Sequence, residues 1–227
     1  MRNKKNTYLE KTVGVAIFSA LAVVIALACS AIPKVQGFLS LDVKDAVISI
    51  AAFIYGPTAG VLIAFIAAFI EFLTFSTTAW YGFIMNFASS AVFALVAASI
   101  YKFRRTLNGA LAGYLLAVIA TTGVMLLLNN YVTPVYLMEF MKMPESVASQ
   151  TVVELLPKVL LPFNLAKSIL NASIAMLIYK PIVIALRRSG IASGGKNGVT
   201  FNRASVVIIA VGLAAMTTAL TILFIIW

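Results

Sequence analysis

Leu161-Pro162-Phe163-Asn164-Leu165-Ala166-Lys167-Ser168-Ile169-Leu170-Asn171 is the stretch on which the fold turns. At about 100° per residue, Asn164, Lys167, Ser168 and Asn171 share one face of a helix whose other faces are apolar. An ammonium near the centre of a bilayer costs about 2.5 to 3.5 kcal/mol, so that face must look onto a protein interior or a wet cavity. Lys167 either pairs with a carboxylate elsewhere, or snorkels to the surface, or belongs to a ligand site. Two amides and a hydroxyl beside the lysine favour the ligand site.

The rest of the chain sets the solvent for that helix. Its 227 residues are 62% hydrophobic, with a mean hydropathy of +1.04, far above the roughly half apolar content of soluble domains. Such a chain is an all-α polytopic membrane helix bundle, long enough for six or seven spans of about 20 residues. The net charge of +10 is no sign of nucleic acid, because the basic residues cluster at span ends. With no histidine and one cysteine, Cys29, in an apolar run, neither disulfides nor thiolate metal sites are expected.

Working outward, the first span is expected from about Thr12 to Ile32, with Ala16 and Ala20 forming an A-x-x-x-A pair and Gly14 and Ala22 extending a ridge of small side chains. Pro33 ends it. Asp42 and Asp45 precede a short second run, Ala46 to Tyr55, which reads as a tilted helix behind an inward-dipping loop; for at least one of them, capping of the helix N-terminus is the simpler reading. Further spans are expected to about Thr74, with Glu71 near its outer end, over about Phe83–Tyr101, and to about Asn130. Residues Val132 to Pro157 read as an outer loop with a short amphipathic helix, followed by a sixth span from about Leu160 to Leu186. The expected organisation is a six-helix binding domain over residues 1–188, a basic Gly/Ser-rich cytoplasmic linker over 189–203, and one extra C-terminal transmembrane helix over 204–227.

Arg2, Lys4, Lys5, Lys11, Lys102, Arg104, Arg105, Lys180, Arg187, Arg188, Lys196 and Arg203 fall on one side, against Lys34, Lys44, Lys142 and Lys158 on the other. The positive-inside rule then puts the N-terminus in the cytoplasm and, after the extra span, the C-terminus outside. Gly190 and Gly195-Lys196 mimic a phosphate loop, but Asn197 replaces its Ser/Thr and no strand precedes it. No nucleophile and base pair or hydrolytic motif appears, which points to binding or transport rather than catalysis. Asn164, Lys167 and Asn171, together with Asn129, Asn130 and Tyr131 and the Leu39-Ser40-Leu41-Asp42 loop, would converge on an outward-facing cavity. Such a cavity suits a flat, uncharged heteroaromatic solute better than an ion.

Three stretches carry a family resemblance: FLSLDVKDAVISIAAFIYGPTAG at Phe38–Gly60, NYVTPVYL at Asn130–Leu137, and LPFNLAKSILN at Leu161–Asn171. With the Ala16/Ala20 pair, they make the chain resemble, over roughly Ala16 to Arg188, the substrate-binding (S) component of energy-coupling factor (ECF) transporters, in its riboflavin-binding branch. The resemblance implies a six-helix bundle that takes riboflavin as transported ligand and needs no cofactor. It implies ligand contacts from Asn130, Asn164 and Lys167, under a loop of Leu39, Ser40, Leu41 and Asp42. It also implies a transmembrane coupling subunit bound through Ala16 and Ala20, two ATP-binding subunits, and a bundle that topples in the bilayer. Other solutes, such as thiamin, biotin or pantothenate, and a proton-coupled carrier built on Lys167 and Glu71, are the alternatives.

Overall fold

The computed structural model describes residues 4–188 and 203–226; the expected linker and its phosphate-loop mimic lie outside them. The elements are α1 (Lys4–Cys29), α2 (Lys44–Tyr55), α3 (Pro57–Thr74), α4 (Ala79–Phe103), α5 (Leu107–Phe140), α6 (Glu145–Leu155), a π turn (Leu156–Leu160), α7 (Leu161–Arg188) and α8 (Arg203–Ile226). Five described stretches are long and apolar enough to cross a membrane: Tyr8–Cys29, Pro57–Thr74, Ala79–Phe103, Leu107–Phe140 and Glu145–Tyr179; Ala210–Ile226 is a shorter apolar helix.

Helix α2 is the axis of the bundle. Its 12 residues reach only about 18 Å, too short to span a hydrocarbon core of about 30 Å. Every residue from Lys44 to Ala52 is buried, against α1, α3, α4 and α7. A half-length helix is stable here because neighbouring helices, rather than lipid, surround it. It turns into α3 at Gly56, whose φ of 99° suits glycine, with Pro57 at the first helical position.

Small side chains set the packing distance around this axis. Ala22, Ala51, Ala52, Ala59, Ala64, Ala67, Ala94 and Ala98 form one core, and a Cβ at Gly60 would crowd those of Ala52 and Ala94. Without a hydrophobic drive between helices in lipid, this close approach supplies the dispersion contact that holds them. Gly14 and Ala22 serve it too. Gly14 abuts the Tyr55 ring and Ala22 is buried, so both belong to the inner face of α1 and not to a ridge shared with the exposed Ala16 and Ala20.

Two expectations shift. Helix α5 continues through Pro134 to Phe140, so the outer loop expected from Val132 shrinks to the few residues before α6. Proline removes the bond to the carbonyl four residues back, that of Asn130, an exposed position, and the rest of the helix carries on. Thirty-four residues rise about 51 Å, so α5 overshoots a bilayer core and its end helps build the mouth of the bundle. Helix α8 packs on α7, with Ala219 and Leu223 buried in the same core as Leu160, Phe163 and Leu170.

Candidate ligand-binding site

At the loop end of the bundle α4, α5, α7 and the segment after α1 enclose a cavity of about 650 Å³, counting the part open to solvent. Phe38, Leu39 and Ser40 form its lid side. Tyr81, Met85, Asn86 and Ser89 come from α4, Met125, Asn129, Thr133 and Tyr136 from α5, and Phe163, Asn164 and Lys167 from α7. The lid is shaped by a tight turn in which Val35 and Leu39 exchange backbone hydrogen bonds, with Gln36 and Gly37 at positive φ. Aromatic rings supply the apolar walls: Tyr136 lies 5.7 Å from Tyr81 and 5.8 Å from Phe38, centroid to centroid. The Tyr81 hydroxyl is buried without a partner at hydrogen-bond geometry, although Glu139 is near enough to act on it electrostatically.

The polar stripe of α7 divides along its length. Asn164 and Lys167 line the cavity, and Lys167 Nζ donates to Asp42 Oδ2 at 2.8 Å and to the Ser40 carbonyl at 3.4 Å. Lys167 thus lines the cavity and pairs with a carboxylate at once, the carboxylate lying behind the lid. Asn171 lies a turn deeper and is fully buried. Its Oδ1 accepts from Ala46 N–H at 2.9 Å and its Nδ2 donates to the carbonyls of Asp42 and Lys167, both at 3.0 Å. The amide is spent on bracing the start of α2 against α7, so Asn171 is a structural bracket and not a cavity residue.

Other expected residues also move. Leu39 and Ser40 line the cavity, whereas Leu41 and Asp42 face a smaller polar hollow behind the lid. Asp42 is no simple cap. Its Oδ2 takes both Lys167 and, at 3.3 Å, Lys44 Nζ, while its Oδ1 takes the Lys44 backbone N–H at 3.3 Å. Asn130 is exposed on α5, and its neighbour Asn129 lines the cavity, because one residue along a helix turns the side chain by about 100°. Asn129 Nδ2 donates to the Met125 carbonyl and its Oδ1 accepts from the Thr133 hydroxyl. Asn129→Leu is therefore expected to weaken ligand binding about tenfold and Asn130→Leu by less than about twofold, read by equilibrium titration; the reverse order would return the contact to Asn130.

Sequence reasoning missed the buried Lys44, whose Nζ donates to Glu71 Oε2 at 2.9 Å, while Glu71 Oε1 accepts from Asn86 Nδ2 at 2.7 Å. Glu71 is consequently the partner of Lys44 and not of Lys167, which leaves the carrier alternative without its pair. The burial of Lys44, though not its partner, was signalled by the length of α2: a helix too short to span is surrounded by protein, and Lys44 stands in its first turn.

The family model described as ECF transporter, substrate-specific component, matches residues 11–183. The riboflavin transporter RibU of Staphylococcus aureus (strain TCH60) is 31% identical over 189 residues, 82% of this chain and 98% of that protein. The riboflavin transporter FmnP of Bacillus subtilis (strain 168) is 28% identical over 174 residues, 75% of this chain and 90% of that one. A solved S component of a bacterial ECF transporter superposes with a TM-score of 0.64 at 28% identity, covering 80% of this chain and 99% of that one. The chain belongs to the family of ECF transporter substrate-specific components, with α8 lying beyond the matched residues.

Proposed function

We propose that this chain is the riboflavin-binding component of an ECF vitamin-uptake transporter, holding the vitamin in the cavity between the lid and α7. The observation that carries this reading is the set of groups on the walls: aromatic rings for a flat heterocycle, beside a lysine and carboxamides for its polar atoms. Identity of 31% with a riboflavin transporter over nearly its whole length supports the choice among vitamins. Riboflavin is the cargo in this reading, with no separate cofactor. The exposed Lys102, Arg104 and Arg105 sit at the end of the bundle opposite the cavity, which supports a cavity open to the outside, a cytoplasmic N-terminus and an outward C-terminus.

Uptake in this reading needs a transmembrane coupling subunit and two ATP-binding subunits, against which the bundle topples. Ala16 and Ala20 lie exposed on the lipid side of α1, flanked by the exposed Val13, Ile17, Leu21 and Val24, a surface into which another helix can settle closely. Helix α8 rests on α7, while α1 packs on α2 and α3. The test is spectroscopic. Full-length protein purified in detergent should come yellow with a flavin absorbance spectrum, or quench riboflavin fluorescence on titration. A preparation that does neither, yet binds another vitamin in a competition panel, would reassign the solute.

A further inference from the structure

Two cavity amides have their orientation dictated by chemistry. Asn164 Nδ2 donates to the Leu160 carbonyl at 2.7 Å, and Asn86 Nδ2 donates to Glu71 Oε1 at 2.7 Å. A carbonyl or carboxylate oxygen carries no proton to give, so only the NH2 end of each amide can face it. The oxygen end is then the one turned away from that partner, and neither Oδ1 accepts from any described residue. The one cationic donor among the lining side chains is Lys167.

Glu71 itself lines the polar hollow behind the lid and not the cavity. From there it reaches both walls. One oxygen holds Asn86, and the other holds Lys44, whose ammonium sits 3.3 Å from Asp42 Oδ2, the same oxygen that takes Lys167. The run Asn86–Glu71–Lys44–Asp42–Lys167 crosses behind the lid from α4 to α7 as charge-assisted hydrogen bonds.

We propose that Glu71 is a specificity-determining residue: it locks Asn86 as a hydrogen-bond acceptor on the α4 wall while anchoring the ion pairs that hold Lys167 as a donor on the α7 wall. The ligand so recognised is uncharged, brings an N–H or O–H donor to α4 and offers an acceptor to α7. An anionic group at the α4 wall meets amide oxygen and is rejected. This deepens the flavin reading and rests on it. Riboflavin has donors of two kinds, the ring imide N–H and the ribityl hydroxyls, and either can meet Asn86.

The experiment titrates full-length protein with riboflavin, 3-methylriboflavin, which lacks the imide N–H, and lumiflavin, which lacks the ribityl hydroxyls. Wild type should disfavour at least one analogue by about tenfold. In Glu71→Gln the new amide can face Asn86 with either end, so Asn86 is free to turn, and that discrimination should fall to below about threefold. Asn86→Leu should do the same, and serves if Glu71→Gln does not fold. A purely structural role for Glu71 would lower the thermal midpoint and leave the analogue preference where it was; that result, or a wild type indifferent to both analogues, overturns the proposal. Wild type that binds no flavin at all defeats the flavin reading and this inference with it, whereas binding with unaltered preference in both variants defeats this inference alone.

Discussion

Lys167→Met protein is expected to bind flavin about 30- to 100-fold more weakly than wild type while folding almost normally. The first half follows from the loss of a charged donor in the cavity, since a hydrogen bond to a charged group contributes about 1.5 to 3 kcal/mol, and about 1.4 kcal/mol is a factor of ten. The second half depends on what the substitution leaves behind. Breaking a buried ion pair is strongly destabilising, about 3 to 5 kcal/mol, when the surviving charge has no other partner. Asp42 has one: Lys44 Nζ lies 3.3 Å from the same oxygen and can close on it. Methionine comes close to the length of the lysine stem and fills its place on α7. Fluorescence-quenching titrations and thermal melts of the two proteins separate the outcomes. Normal affinity with poor expression would make Lys167 a structural residue, whose work is to hold the lid through Asp42 and Ser40.

How much of this was legible in the sequence follows from the distance over which each signal acts. Hydropathy and charge clustering are local, and they delivered the membrane bundle, the spans of α1, α3 and α4, and the end at which the basic residues gather. The stripe on α7 is also local, since helical period alone brings Asn164 and Lys167 to one face. What that face meets is a matter of tertiary contact. Asn171 carries the same polarity and lies on the same face as Asn164, yet about two turns further along it runs into the N-terminal end of α2, where Ala46 N–H needs an acceptor. Period could not distinguish the two.

Helix α5 failed for another reason. Pro134 and the polar residues around it are ordinary signs of a stop, and they outweighed a pattern that in fact continues to Phe140. Ending the helix at about Asn130 also hid Thr133 and Tyr136 in a loop, so half of the α5 wall was missed, and with it the two positions whose phase would have favoured Asn129 over Asn130. The buried Lys44–Glu71 pair joins residues 27 apart in sequence through two helices, and although the short α2 points to a buried Lys44, nothing local names Glu71 as its partner. The sequence resemblance carried FLSLDVKDA as a unit, which contains Asp42, Lys44 and Asp45, without showing that Asp42 binds both lysines or that Asp45 accepts from Ser90.

Exchanging both Ala16 and Ala20 for leucine is expected to leave riboflavin binding within about twofold of wild type and to abolish ATP-driven uptake when the chain is reconstituted with the proposed coupling and ATP-binding subunits. The two halves separate because the positions are remote from the cavity. Ala16 and Ala20 are exposed, whereas α1 meets its own bundle through Val15, Ser19, Ala22 and Ala26, the buried stripe of the same helix. Leucine on the lipid side leaves that stripe untouched and is welcome in hydrocarbon, so insertion and folding should survive. A partner helix has a different requirement. Small side chains four residues apart let backbones approach closely, and two isobutyl groups on that ridge would hold the helices apart, removing most of the dispersion contact on which association in lipid depends. Copurification with the coupling subunit, measured beside uptake, identifies the step that fails. Uptake retained in the double variant would mean that the coupling surface lies elsewhere on the bundle, and lost binding would mean that α1 bears on the cavity after all.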